Sequence, residues 1–229
     1  MLAVTSASVW YTMRATGVVA LVLLTATMVL GLLTAGRTAS ASWPAFARAD
    51  LHKRTSLLAM VFLALHVLTA LLDTYVKVGW LSGLVPFTSA YRPLWVGLGT
   101  VGVDLMVAVA VSSALRQRID ARTWRALHWL AYGSWPVAMA HTFGMGTDAA
   151  TLWLDAVGVV CTLSLGGALA WRITDHRRNR REAVLAGATT RAVPLRSPLP
   201  VGPYPAPVSS TAGSATPSTA VQLLEKDRP

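Results

Sequence analysis

The chain has 229 residues, 54% of them hydrophobic and only 13% charged, with a formal net charge of +10 and a mean hydropathy of +0.51. That balance falls outside the range of soluble globular proteins and reads as an integral membrane protein. The positive charge does not point to nucleic acid, because Lys and Arg cluster in short segments between apolar runs, where they set membrane orientation. The single cysteine, Cys161, excludes an intrachain disulfide and a cysteine-ligated iron–sulfur cluster.

Apolar runs near 10 to 34, 51 to 73, 93 to 115, 124 to 146 and 152 to 172 each come close to the roughly 20 residues that cross a hydrocarbon core of about 30 Å. A helix is the only open element that satisfies its own backbone in lipid. The expected fold is therefore all-α: a polytopic bundle of about five transmembrane helices. The first run, after Arg14, is followed by the small-residue sequence TASASWP, which resembles a signal-peptide cleavage site. The run is longer than a signal core, and cleavage would reverse the charge bias of the second run, so it is taken as a membrane helix.

The second run, LHKRTSLLAMVFLALH, carries His52 and His66. Fourteen residues at about 100° each bring the two to within roughly 40° of one face, about 21 Å apart along the axis. The third run holds Gly97, Gly99 and Gly102, where ordinary helix packing and close approach of a flat macrocycle are both open readings, and Asp104, costly in lipid unless paired, for instance with Arg14, or placed on a proton path. The fourth run, HWLAYGSWPVAMAH, carries His128 and His141. Thirteen residues put these roughly 140° apart on an ideal helix. Pro136 lies between them, so a distortion is expected near Ser134 to Pro136 that changes the phase. Gly133 is the glycine best placed for a cofactor. Four histidines at matched depths on two spans are the arrangement that two stacked bis-histidine haems require, since neutral imidazole is an axial ligand of haem iron.

Lys and Arg are dense after the first, third and fifth runs and sparse elsewhere, which predicts an outside N-terminus and a cytoplasmic C-terminus. His52 is then level with His128 near the inside, and His66 with His141 near the outside. Arg14, Lys77 and Arg92 fall on the outer side, as haem-propionate partners or as snorkelling interfacial charges. After the fifth run the chain begins DHRRNRREAV and then becomes rich in Pro, Ala, Ser and Thr, too poor in apolar residues to fold. The expected organisation is a membrane domain over 1–174 and a disordered cytoplasmic tail over 175–229. The bias to arginine and alanine hints at a GC-rich bacterial genome and hence a bacterial plasma membrane.

With its paired spacings of fourteen and thirteen on alternate helices, LHKRTSLLAMVFLALH followed by WRALHWLAYGSWPVAMAH resembles the ferric reductase-like transmembrane domain. That family includes ferric reductases, NADPH oxidases and the haem-binding membrane subunits of bacterial methionine sulfoxide reductase systems. The resemblance, over roughly residues 10 to 172, implies two b-type haems, one on His52 and His128 and one on His66 and His141, carrying electrons from the cytoplasm to an external acceptor. The flavin- and nicotinamide-binding domain of the larger members does not fit in the residues after the last run. Electrons are then expected from a separate reductase, a quinone, or a flavin (FMN or FAD) held on the membrane domain. The alternative from another class is a small non-redox transporter or assembly factor whose histidines pack helices or relay protons.

Overall fold

The computed structural model describes residues 6–35, 44–73, 78–145 and 152–192. Among them every regular element is helical: α1 (Ser6–Ala35), α2 (Ala45–Leu72), a 3₁₀ turn at Trp80–Gly83, α3 (Pro93–Ala114), α4 (Ala121–His128), α5 (Leu130–Met145) and α6 (Leu152–Ala192). Four of these, α1, α2, α3 and α6, are long and apolar enough to cross a membrane. The fold is the expected polytopic helical bundle.

Several hydroxyls inside the apolar helices are satisfied within their own helix. The hydroxyls of Thr16, Thr25 and Thr34 donate back to carbonyls one turn earlier on α1, at 2.7, 2.9 and 2.6 Å. Arginines tie helix ends together: buried Arg48 on α2 donates to the carbonyl of Leu33 at 2.9 Å, and Arg92, just before α3, donates to that of Gly144 at 2.9 Å. Carbonyls of a last helical turn have no partner within the helix, so a guanidinium there meets both the unpaired oxygen and the negative end of the helix dipole. The outward side of α2 is an apolar stripe of Leu57, Val61, Leu65, Leu68 and Leu72, a surface suited to lipid tails.

α1 and α2 pack along their length as an antiparallel hairpin, and α3 packs similarly on α5. The hairpins meet where Trp135 Nε1 donates to Thr25 Oγ1 at 2.9 Å. Thr25 thus donates one bond and accepts another. α6 turns few residues inward, chiefly Leu154 and Cys161, and its Gly158 lies against the ring of Phe143.

Three expectations are corrected. Helix four is interrupted at Trp129, between α4 and α5, and runs helically through Pro136. The amide of Tyr132 bonds Trp129 O at 3.0 Å in a tighter 3₁₀-like turn, so the distortion lies toward the N-terminus of the predicted place. Second, the last helix does not stop near 172 but continues to Ala192, so the basic stretch begins as helix, not as tail. Arg, Glu, Ala and Leu are good helix formers, and extending an existing helix costs far less than starting one. Residues up to Ala183 form one unit; of the second, from Val184, residues 184–192 are described and are helical, and the Pro-rich remainder lies outside the described residues. Third, Asp104 makes no hydrogen bond or ion pair among the described residues; its side chain faces away from the bundle, not toward Arg14.

α4 starts where Asp120 accepts hydrogen bonds from the Thr123 hydroxyl and from the backbone N–H groups of Thr123 and Arg122. These bonds, the hydroxyl's first, hold its carboxyl below the ordinary value of 3.8. A depressed carboxylate stabilises the fold above its unfolded pKa and loses that contribution as pH falls through the folded value. Asp120→Ala should therefore lower the thermal midpoint by a few degrees at neutral pH, and the gap to the parent should close below pH 3.8. Helix ellipticity followed in detergent at both pH values checks this.

Candidate functional site

The antiparallel hairpins bring the four histidines together in two pairs. His52 lies opposite His128, ring centroids 6.4 Å apart and planes crossed at 68°, and His66 lies opposite His141 at 6.2 Å and 79°. The helix interruption at Trp129 makes up the phase that thirteen residues leave open.

Three of the rings are seated in the same way. His66 Nδ1 bonds the carbonyl of Met13 at 2.8 Å, His52 Nδ1 that of Thr27 at 3.0 Å, and His141 Nδ1 that of Trp95 at 2.7 Å. Each carbonyl lies four residues before a glycine, and each ring rests on that glycine. A Cβ added at Gly17 would stand 2.8 Å from His66, one at Gly99 2.6 Å from His141, and one at Gly31 3.4 Å from His52. The reason is geometric. A helical side chain leans toward the N-terminus over the preceding turn, so the residue at i+4 would normally cover the carbonyl at i. Glycine uncovers the oxygen's second lone pair and leaves room for a flat ring. A carbonyl oxygen can only accept, so Nδ1 carries the proton and Nε2 keeps its lone pair, the tautomer a metal ligand needs.

His128 is the exception. α3 has no glycine between 103 and 114 to seat it. Its ring stacks on Trp124, one turn earlier, at 5.0 Å and 22°, and the Arg116 guanidinium lies 4.5 Å from the centre of that indole. His128 Nδ1 and Trp124 Nε1 are both buried without a hydrogen-bond partner.

The pair separations test whether haem iron fits. A metal–imidazole nitrogen bond is about 2.0 Å, so two such bonds in line, plus the distance from each nitrogen to its ring centre, span about 6.3 Å. Both pairs match that span. They are too far apart for direct hydrogen bonding between rings, and closer than two rings packed around a side chain would be. Around His66 and His141 lies a cavity of about 650 Å³, lined also by Gly17, Gly99, Met106 and Ser134, within the range of cofactor pockets, roughly 300–1,000 Å³. No cluster of three or more His, Cys, Asp or Glu occurs among the described residues, so the histidines meet two at a time.

Other expected residues take different places. Gly133 faces open space, Gly97 packs on Phe87, and Gly102 would touch only Val137, at 3.8 Å. Of the glycines singled out from sequence, Gly99 is the one in contact with a histidine. Gly17 and Gly31 were missed, although their separation of fourteen repeats that of His52 and His66 on the antiparallel partner. Arg14 lies over Trp10 at 4.3 Å and borders the cavity with Asp73. Arg92 is occupied at a helix end, and Lys77 lies outside the described residues.

Replacing glycine by alanine in a helix is worth about 0.8–1 kcal/mol where space allows, against a cost of about 1–3 kcal/mol where the core is overpacked. Gly17→Ala and Gly99→Ala should therefore destabilise, and Gly31→Ala should be neutral or mildly stabilising. Thermal unfolding of the three variants in one detergent gives the order.

No curated protein and no solved structure matches the chain. The family described as ferric reductase like transmembrane component matches residues 16–139, more than half of the chain. The matched stretch contains His52, His66, His128 and the glycine seats, and ends just before His141. On that match the chain belongs to the ferric reductase like transmembrane component family.

Proposed function

We propose that the chain is a diheme membrane cytochrome that carries electrons across the bilayer, with His52 and His128 holding one b-type haem and His66 and His141 the other. The observation that carries this reading is the pairing itself: two imidazole pairs at axial-ligand separation, three of the four rings with the proton fixed on Nδ1 by a backbone carbonyl. Haem bound there supplies a one-electron ferric–ferrous couple. The protein's part is to orient the ligands, exclude water and set the electrostatics.

The residues supply those functions as follows. The carbonyls of Met13, Thr27 and Trp95 make their histidines stronger donors and hold the ring planes crossed. Trp135, anchored on Thr25, places an aromatic ring where the two hairpins meet. Arg116, Arg118, Arg122 and Arg125 gather at the end of the bundle nearest His52 and His128. By the positive-inside rule that end is cytoplasmic and the N-terminus outside, and the bias to arginine and alanine favours a bacterial plasma membrane. A cationic end suits an anionic donor, whether an acidic reductase surface or the phosphate of a flavin, and a quinone can reach the same end from the bilayer. The cavity beside His66 and His141 then lies toward the external acceptor. The alternative within the redox class is a haem subunit that supplies electrons to a periplasmic methionine sulfoxide reductase.

The test is a dithionite-reduced minus oxidised spectrum of the purified chain with haem quantified. The expected result is b-type bands at about two haems per chain, falling to about one in His66→Ala and in His141→Ala. Protein made with ample haem supply that shows no haem band would overturn the proposal and favour a packing or proton-relay role for the histidines.

A further inference from the structure

The two histidine pairs are not equivalent, and the difference lies in His128. Three rings have a glycine seat and a carbonyl on Nδ1, whereas His128 has an indole face and no acceptor. Trp124 is itself fixed from the other side by the Arg116 guanidinium. A ring free to turn about its side-chain torsions is a poor axial ligand, because rotamer entropy is lost on ligation. The near-parallel stack, 22° between planes, restricts that turning without a hydrogen bond.

The missing acceptor has an electronic consequence. A carbonyl on Nδ1–H pushes electron density onto Nε2 and makes imidazole a stronger donor, which favours the ferric over the ferrous state. The His66/His141 pair has two such bonds, at 2.8 and 2.7 Å; the His52/His128 pair has one, at 3.0 Å. The cation stacked on Trp124 acts in the same direction, since nearby positive charge favours the reduced, less positive iron.

Resting on the diheme reading above, we infer that Trp124 is the positioning residue of His128, and that the stacked, unbonded His128 makes the His52/His128 site the more easily reduced of the two. Hydrogen-bonded partners of metal ligands are typically worth about 10–100-fold in affinity. A tenfold difference between the sites in the ferric–ferrous equilibrium corresponds to about 59 mV for a one-electron couple.

The experiment uses the full-length, haem-loaded chain: potentiometric titration, haem quantification and low-temperature EPR on the parent, His128→Ala, Trp124→Leu and Trp124→Phe. Two components are expected, the higher-potential one absent in His128→Ala. Trp124→Leu should shift the EPR signal and potential of that component alone and weaken its haem retention about tenfold, and Trp124→Phe, which keeps an aromatic face, should restore most of both. The inference is overturned, with the diheme reading intact, if the two components titrate together, if the higher-potential one survives in His128→Ala, or if Trp124→Leu leaves the His128-dependent component unchanged. A parent chain without haem would overturn both. General misfolding of Trp124→Leu would show as loss of both components, and Trp124→Phe together with His128→Ala then decides the question.

Discussion

Seating an imidazole between two membrane helices demands two things of the opposing helix: no Cβ where the ring lies, and a carbonyl with a lone pair to spare where Nδ1 points. Helix geometry supplies both at once when a glycine follows the carbonyl by four residues, and the chain uses this at Met13 and Gly17, Thr27 and Gly31, and Trp95 and Gly99. The rest of the arrangement depends on it. Two seats fourteen residues apart on α1 admit two histidines fourteen apart on α2 in a single antiparallel register; slipping the hairpin by one residue would drive both rings into side chains. The seat on α3 sets α5 in the same way, and the two hairpins then present their histidines to one another at 6.2 and 6.4 Å.

These bonds orient more than they stabilise. Interhelical hydrogen bonds in membranes average about 0.6 kcal/mol, so three contribute about 2 kcal/mol, small beside the packing of whole helices. Their effect is on uniqueness. They select one tautomer, one ring plane and one register among packings that the apolar stripes alone would leave nearly equal in energy, which is the pre-organisation a binding site requires.

The two ends of the bundle differ in kind. At the end with His66 and His141 the glycine seats open onto a cavity whose border includes Arg14 and Asp73. At the other end, arginines crowd the turn between α3 and α4, and Trp124 carries the Arg116 guanidinium and the His128 ring on its indole. A one-electron conduit in this family calls for such asymmetry, since donor and acceptor meet opposite faces of the membrane. The long helix α6 takes little part in either site, which suits an element whose outer face meets lipid or another protein.

Much was legible in the chain as written. Apolar run length determined the kind of elements and where they lie, though not that the fourth run divides into two helices, because lipid leaves the backbone no alternative to helix, and the fourteen-residue spacing placed His52 and His66 on one face through helical periodicity alone. The family resemblance rested on the same residues. What the tertiary structure decided is whatever depends on a neighbouring helix. A glycine in an apolar run looks the same whether it lies against lipid, against Phe87 as Gly97 does, or beneath an imidazole as Gly17 does. The break came at Trp129, two turns before Pro136, and helix periodicity alone does not show which turn gives way. The separate character of His128 is likewise tertiary: its own sequence context shows only a tryptophan one turn away, and the lack of a seat belongs to α3.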